Sequence, residues 1–353
     1  MTGSYSEALH DIAHFNFDQG QARRLDEACL RVAAEGGPDA SGTAALSRHY
    51  AERLKQEITA QQQALLDAFT SGQVCAIEFS NMLPLPSDPP PDVMPPQENL
   101  STAPAVIYLA SRHQILLSLV GYRSFAFDID NEGKQTRLVG NFKGGGKVPL
   151  VEEKQDRTAE LNSHAGVSLG PHTEPPYNCS VKAEDEHSPA PSALILTARW
   201  NPQREPTRLT PMRAAIRKLN GIEALALTSR SFRFSRSECF IKDDSPPPRP
   251  SSILQFDRME GFTLRYSTYR YSLDSEASVP AQHAFKALEG LVSEIEPTVF
   301  VLDSSSALLI NNSQALHSRD TILDNRRLLV RLFAYAPHTE PLVLQPDPLV
   351  VRG

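Results

Sequence analysis

Leu328–Tyr335 reads LLVRLFAY, an apolar run broken only by Arg331. Branched and aromatic residues at this density read as a strong strand in a protein core. A cation inside such a strand needs a buried counter-charge, because an unpaired ion in an apolar interior is costly. A second run, residues 193–199 (ALILTAR), reads as another buried strand. Shorter runs at 74–79, 125–129, 138–142, 166–174, 222–228, 230–235, 252–257, 262–268, 300–302 and 307–310 give further strands. The turn at Asn131-Glu132-Gly133 pairs the 125–129 run with 138–142.

Helical spacing marks 5–35, 42–71, 103–120 and 281–296, and Thr210 with Pro211 reads as the capped start of a helix over 210–219. Prolines cluster in 82–99, which reads as a loop, and 28 Pro against 18 Gly suits a loop-rich β protein. The fold expected is mainly β with helices: a double-stranded β-helix (jelly-roll) core with N-terminal helical support. Residues 1–99 form the helical support and Pro-rich loop, 100–353 the core, in one integrated domain.

Charge and composition narrow the function. The net charge of −7 leaves no overall basic footprint for nucleic acid. No apolar stretch is long enough to span a membrane. His10, Asp11, His14 and Asp18 stand where a secretory signal needs an apolar run, so the cytoplasm is expected. Cys29, Cys75, Cys179 and Cys239 form no CxxC pair and read as reduced thiols. Lys143-Gly144-Gly145-Gly146-Lys147 lacks phosphate-loop spacing and reads as a glycine turn. In 230–236, alternation splits the arginines between faces and reads as a half-buried strand with Phe232 and Phe234 inward.

The stretch Gly170-Pro171-His172-Thr173-Glu174-Pro175-Pro176 carries chemistry. In an extended chain His172 and Glu174 share a face and Thr173 points away. An imidazole and a carboxylate so placed take adjacent positions on a metal, with His317 as candidate third ligand. Two His and one carboxylate leave three positions open, the facial arrangement of non-haem Fe(II) oxygenases. A surface ion pair is the simpler reading of a lone HxE, and PHTEP recurs at 337–341. The downstream His317 and Arg331 distinguish the first copy.

These motifs resemble the clavaminate synthase-like branch of Fe(II)/2-oxoglutarate-dependent oxygenases, in the taurine dioxygenase superfamily. That branch has His-Thr-Glu, here His172-Thr173-Glu174. Its distal motif is similar to Asn311-Asn312-Ser313-Gln314-Ala315-Leu316-His317-Ser318-Arg319. Its cosubstrate arginine lies about fourteen residues further on, and Arg326-Arg327-Leu328-Leu329-Val330-Arg331 matches. The helix AVIYLASRHQILLSLVGY also resembles the family's. The likeness covers roughly residues 100–335. Asn311, Ser313 and Ser318 depart from the family's Asp, Arg and Gly, but none is an implied ligand.

The resemblance implies that His172, Glu174 and His317 hold Fe(II). Arg331 then pairs with the far carboxylate of 2-oxoglutarate, and Thr207 adds a hydroxyl. O2 is the second cosubstrate, and 2-oxoglutarate is decarboxylated to succinate. The implied reaction is hydroxylation of an unactivated C–H of an amino acid or amino-acid-derived small molecule, free or carrier-bound. With Glu174 in place hydroxylation is favoured over halogenation, while desaturation and ring closure stay open. Arg319 either helps with the cosubstrate or caps a loop. Two other classes stay open: a small-ligand-binding jelly roll without turnover, and a zinc-dependent hydrolase. The hydrolase has no need of Arg331 and the chain lacks HExxH.

Overall fold

A computed structural model describes residues 11–86, 89–150, 161–176, 180–235, 249–258 and 261–353. Its core is a jelly roll of two sheets. Among the described residues the larger sheet has nine strands. Eight run in the order Ile12–Asn16, Ala76–Ser80, Ala307–Asn311, Ala193–Trp200, Leu328–Tyr335, Arg123–Phe127, Leu349–Val351, Val343–Pro346, and Arg137–Gly140 also pairs with Leu328–Tyr335. The smaller sheet runs Thr298–Phe300, Thr207–Pro211, Ala315–Arg319, Leu169–His172.

Strand Leu328–Tyr335 is apolar apart from Arg331 because both its faces are covered. Leu329, Phe333 and Tyr335 join a core between the sheets, with Leu194, Leu196, Leu209 and Phe300. Leu328, Val330, Leu332 and Ala334 face a second core with the helices. Each fully buried Leu or Phe contributes on the order of 1.5–3 kcal/mol. Tyr335 adds a stack on Phe125 (ring centroids 3.8 Å apart) and donates from its hydroxyl to the Pro189 carbonyl at 2.6 Å.

Helix Pro104–Leu119 lies between that sheet face and the outer helices Gln19–Ala34 and Thr43–Lys55. It is buried around most of its circumference, hence its nearly continuous apolar sequence. Gly37 permits close approach to it: φ is +70°, and a Cβ there would stand 2.9 Å from Ile107 Cγ2. A third core lies in the segment between Thr207–Pro211 and Thr298–Phe300. There Phe232, Leu264 and Tyr266 pack on helix Val279–Glu294 through Phe285 and Leu288. No helix among the described residues is long and apolar enough to cross a membrane.

Several elements differ from expectation. The 5–35 helix is strand Ile12–Asn16 followed by helix Gln19–Ala34. Ala13 and Phe15 are buried and His14 and Asn16 exposed, a period of two, and Asp18 then caps the helix reciprocally with Gln21. The 42–71 helix is two, Thr43–Lys55 and Ala60–Thr70, because Thr59 and Gln62 form a capping box. Arg137–Gly140 pairs with Leu328–Arg331, not with the 125–129 run, which pairs along the same edge through Phe333–Tyr335. Thr210 and Pro211 end strand Thr207–Pro211, where the missing proline N–H is tolerated, and the helix is only Arg213–Lys218. The 222–228 strand is helix Gly221–Leu227, capped by Asn220 with Glu223. The edge hairpin of Val343–Pro346 and Leu349–Val351 was not anticipated.

Cys29 and Cys75 are buried free thiols, whereas Cys179 and Cys239 lie outside the described residues. Phe232 is buried and Arg233 pairs with Asp274, while Arg236 is outside the described residues.

Candidate metal centre

The smaller sheet brings the two histidines together. His172 lies opposite His317, which on its other side lies opposite Leu209. Alternation places Thr207 and Arg319 on the same inward face. Arg331 projects from the larger sheet across the gap, between Leu329 and Phe333. His172, His317, Thr207, Arg319 and Arg331 line one cavity of about 90 Å³ between the sheets.

Three residues converge there. His172, Glu174 and His317 each offer a ligand atom, and these atoms lie within 4.8 Å of one another. They are the only such group of His, Cys, Asp or Glu among the described residues. The imidazole rings are 4.2 Å apart, and His317 Nε2 is 3.4 Å from Glu174 Oε1. His172 Nδ1 meets the Gly170 carbonyl at 2.8 Å. A carbonyl only accepts, so Nδ1 carries the proton and Nε2 keeps its lone pair for a metal.

Neighbouring groups hold this geometry. Glu174 N–H donates to Asn312 Oδ1 at 2.8 Å, and Asn312 Nδ2 donates to the carbonyls of Glu174 (3.3 Å) and Pro191 (2.9 Å). Thr173 is fully buried, pointing away, and bonds the Tyr266 backbone. The 266–268 segment lies along the free edge of Leu169–His172: Thr268 N–H donates to the Pro171 carbonyl at 3.1 Å. Gly170 is required there, since a Cβ would collide with Thr268 Oγ1.

Ionisation follows from burial and charge. Burial pushes His172 down to about 3, helped by His317, so the imidazole is neutral as a ligand must be. Burial works against charge on Glu174, yet Arg331, then His317 and His172, hold it below the usual carboxylate range. Arg331 is 5 % exposed, donates to Glu174 Oε1, and stands 4.0 Å over the Phe333 ring. The counter-charge demanded by its apolar strand is thus Glu174. Two imidazoles and one ionised carboxylate on one side of a cavity fit Fe(II) or a similar first-row ion.

Thr207 is buried and lines the cavity. Arg319 caps a loop, donating through Nη2 to the carbonyls of Asn162 (3.2 Å) and Ala165. Burial, then repulsion from Arg327, lowers its pKa to about 9. In the second PHTEP copy Glu340 pairs with Lys182 at the surface (3.1 Å) and Thr339 bonds Ser192 (2.9 Å).

Cavity residues that had not been singled out include Arg137, Ser163, Tyr269, Arg270 and Arg327. Arg137 pairs with Asp130 and donates to Ser163 Oγ at 2.8 Å. Tyr269 meets His172 edge-on, with centroids 5.5 Å apart. Arg327 was legible, since it directly precedes strand Leu328–Tyr335 and shares parity with 329, 331 and 333.

No family model and no curated protein matches the sequence. Solved structures do share the fold. An asparagine oxygenase in complex with Fe(II), 3-hydroxyasparagine and succinate matches with a TM-score of 0.66 at 19% identity, covering 91% of this chain and 92% of that one. The non-haem iron oxygenase OrfP in complex with Fe matches at 0.67 and 18%, covering 91% and 93%. Asparagine oxygenase AsnO in a further structure matches at 0.66 and 18%, covering 96% and 98%. OrfP has also been solved with α-ketoglutaric acid, and with succinate and 3-hydroxyarginine.

Proposed function

We propose that this chain is an Fe(II)/2-oxoglutarate-dependent oxygenase that hydroxylates an amino acid or amino-acid-derived small molecule. The observation that carries this reading is the convergence of His172, Glu174 and His317 opposite Arg331 in one cavity. Bound Fe(II) would supply the oxidative decarboxylation of 2-oxoglutarate by O2 and the oxidation of a C–H bond. The shared fold with oxygenases crystallised with hydroxylated amino acids, α-ketoglutaric acid and succinate supports the same assignment.

The chain's own residues have separable roles. His172, Glu174 and His317 hold the metal. The Gly170 carbonyl fixes the tautomer of His172, and Asn312 fixes the Glu174 backbone. Arg331, with the Thr207 hydroxyl lining the same cavity, receives the far carboxylate of 2-oxoglutarate, for which a planar guanidinium is well shaped. Leu194, Leu196, Leu329 and Phe333 keep the chamber apolar, which strengthens each charge interaction inside it. The substrate is a small molecule, free or carrier-bound, and the compartment assigned is the cytoplasm. A zinc hydrolase has no 2-oxo acid carboxylate for Arg331 to receive.

The test is to incubate the Fe(II)-loaded protein aerobically with 2-oxoglutarate and a panel of amino acids, following succinate by NMR. The expected result is succinate formation and a product one oxygen atom heavier, both lost in His317→Ala. Absence of 2-oxoglutarate consumption across the panel, with iron bound, would overturn the reading.

A further inference from the structure

One carboxylate oxygen of Glu174 stands between two cation sites. Oε1 accepts a hydrogen bond from Arg331 Nη1, and the same atom lies 3.4 Å from His317 Nε2. Glu174 thus offers the metal centre an oxygen that a guanidinium already holds. Both side chains are deeply buried, 10 % exposed for Glu174 and 6 % for Arg331, and an ion so placed needs a counter-charge. Neither main chain is free to retreat. Asn312 clamps that of Glu174. Arg331 sits mid-strand, opposite Leu196 on one side and Arg137 on the other, with its guanidinium over Phe333.

A carboxylate has a second oxygen, but this does not remove the conflict. A divalent ion at His172, Glu174 and His317 brings positive charge up to an arginine bonded to the same carboxylate. Leu194, Leu196, Leu329 and Phe333 line the cavity there, and apolar walls screen like charges little. The metal therefore weakens the bond between Arg331 and Glu174, and Arg331 then needs another anion. In the function proposed above, that anion is the far carboxylate of 2-oxoglutarate.

Resting on that function, we infer that Arg331 is a latch on Glu174 as well as a seat for the cosubstrate. It competes with the metal for the Glu174 carboxylate, and the far carboxylate of 2-oxoglutarate relieves the competition by drawing Arg331 to itself. Arg331 is thus a positioning residue toward the metal, acting through Glu174. Metal and cosubstrate load cooperatively, through the change of partner of one arginine and in addition to chelation. By reciprocity, the far carboxylate raises metal affinity by the same factor as the metal raises affinity for that carboxylate. The metal is held weakly until a 2-oxo acid long enough to reach Arg331 is present.

The test is calorimetric titration of Mn(II) into the parent, Arg331→Gln and Arg319→Gln. Each is titrated alone, with 2-oxoglutarate, and with 2-oxovalerate, which keeps the 2-oxo acid group but lacks the far carboxylate. Without a 2-oxo acid, Arg331→Gln is expected to bind Mn(II) at least fivefold more tightly than the parent. Arg319→Gln removes a guanidinium from the same cavity, one that bonds the Asn162 and Ala165 carbonyls, and is expected to stay within twofold of the parent. In the parent, 2-oxoglutarate should raise Mn(II) affinity at least fivefold more than 2-oxovalerate does, and Arg331→Gln should lose that contrast. A smaller gain in Arg331→Gln, or an equal gain in Arg319→Gln, which would signify general repulsion, overturns the inference. The parent also gives a readout that does not depend on the variant's folding. In ¹⁵N-arginine NMR the Arg331 guanidinium signal, assigned by its loss in Arg331→Lys, should shift on adding Zn(II) and again with 2-oxoglutarate but not 2-oxovalerate. A signal that Zn(II) leaves in place overturns the latch. If 2-oxoglutarate does not bind the Mn(II)-loaded parent at all, the proposed function itself fails; if it binds and Arg331→Gln keeps the contrast, the inference alone falls.

Discussion

Replacing Asn312 with alanine removes the clamp behind Glu174. Asn312 is fully buried and its side chain makes three hydrogen bonds, one accepted from Glu174 N–H and two donated to the Glu174 and Pro191 carbonyls. Each is worth about 1 kcal/mol net, and each buried group left unpaired costs about 1–3 kcal/mol, so a loss of roughly 3–5 kcal/mol is expected. The 3.3 Å bond to the Glu174 carbonyl is the weakest, which favours the lower end. Glu174 is also freed to shift, and outer partners of a metal ligand typically govern affinity by about 10–100-fold. Urea unfolding of the metal-free protein measures the first effect, and Mn(II) titration of folded protein the second. Asn312→Asp separates them further, since Asp accepts from Glu174 N–H but cannot donate to either carbonyl. Stability within about 0.5 kcal/mol of the parent, with Mn(II) affinity unchanged, would refute this account of how Glu174 is held.

Arg331→Gln leaves Glu174 buried without its balancing cation and should destabilise the metal-free protein by about 3–5 kcal/mol. A double-mutant cycle with Glu174→Gln should recover much of that loss, and additive unfolding energies would deny the pair. Burial raises Cys29 and Cys75 to about 12 from 9.0, so the unfolded chain releases these protons first as pH rises. Their contribution to stability is therefore complete below pH 9, and falls between 9 and 12 by up to about 1.4 kcal/mol per unit for each thiol. The check is urea unfolding of the parent and of a Cys29→Ala/Cys75→Ala variant across that window; equal slopes would contradict it. Gly170→Ala should drive Thr268 off the His172 strand and weaken Mn(II) binding about tenfold, while Thr268→Ala in the same chain restores it. An unaffected single variant would show that the contact is not tight.

Much of this site was written locally. Arg331 announced a buried counter-charge because its strand is apolar on both faces, and Glu174 meets that need. A period of two placed His172 and Glu174 together with Thr173 turned away. The partnership of His172 with His317 was different in kind. It depends on the register of two strands far apart in sequence, which no local pattern carries: the sequence offered His317 only as a candidate third ligand, and the resemblance implied its role. Tyr269 was missed for the same reason, because it reaches the cavity through a segment that packs on a strand edge. The wrong elements were a short apolar run, 222–228, for which helix and strand spacing coincide, and long helical runs whose internal breaks were overlooked. Asn220 with Glu223, and Thr59 with Gln62, were the capping signals that resolve two of them.

The central claim is that His172, Glu174 and His317 bind iron in a form that accepts a 2-oxo acid. Anaerobic addition of Fe(II) and then 2-oxoglutarate, followed in the visible range, tests it most directly. The account predicts a weak charge-transfer band that needs both components and is absent in His172→Ala. Iron binding without the band would contradict the cosubstrate assignment, and failure to bind iron would contradict the metal centre itself.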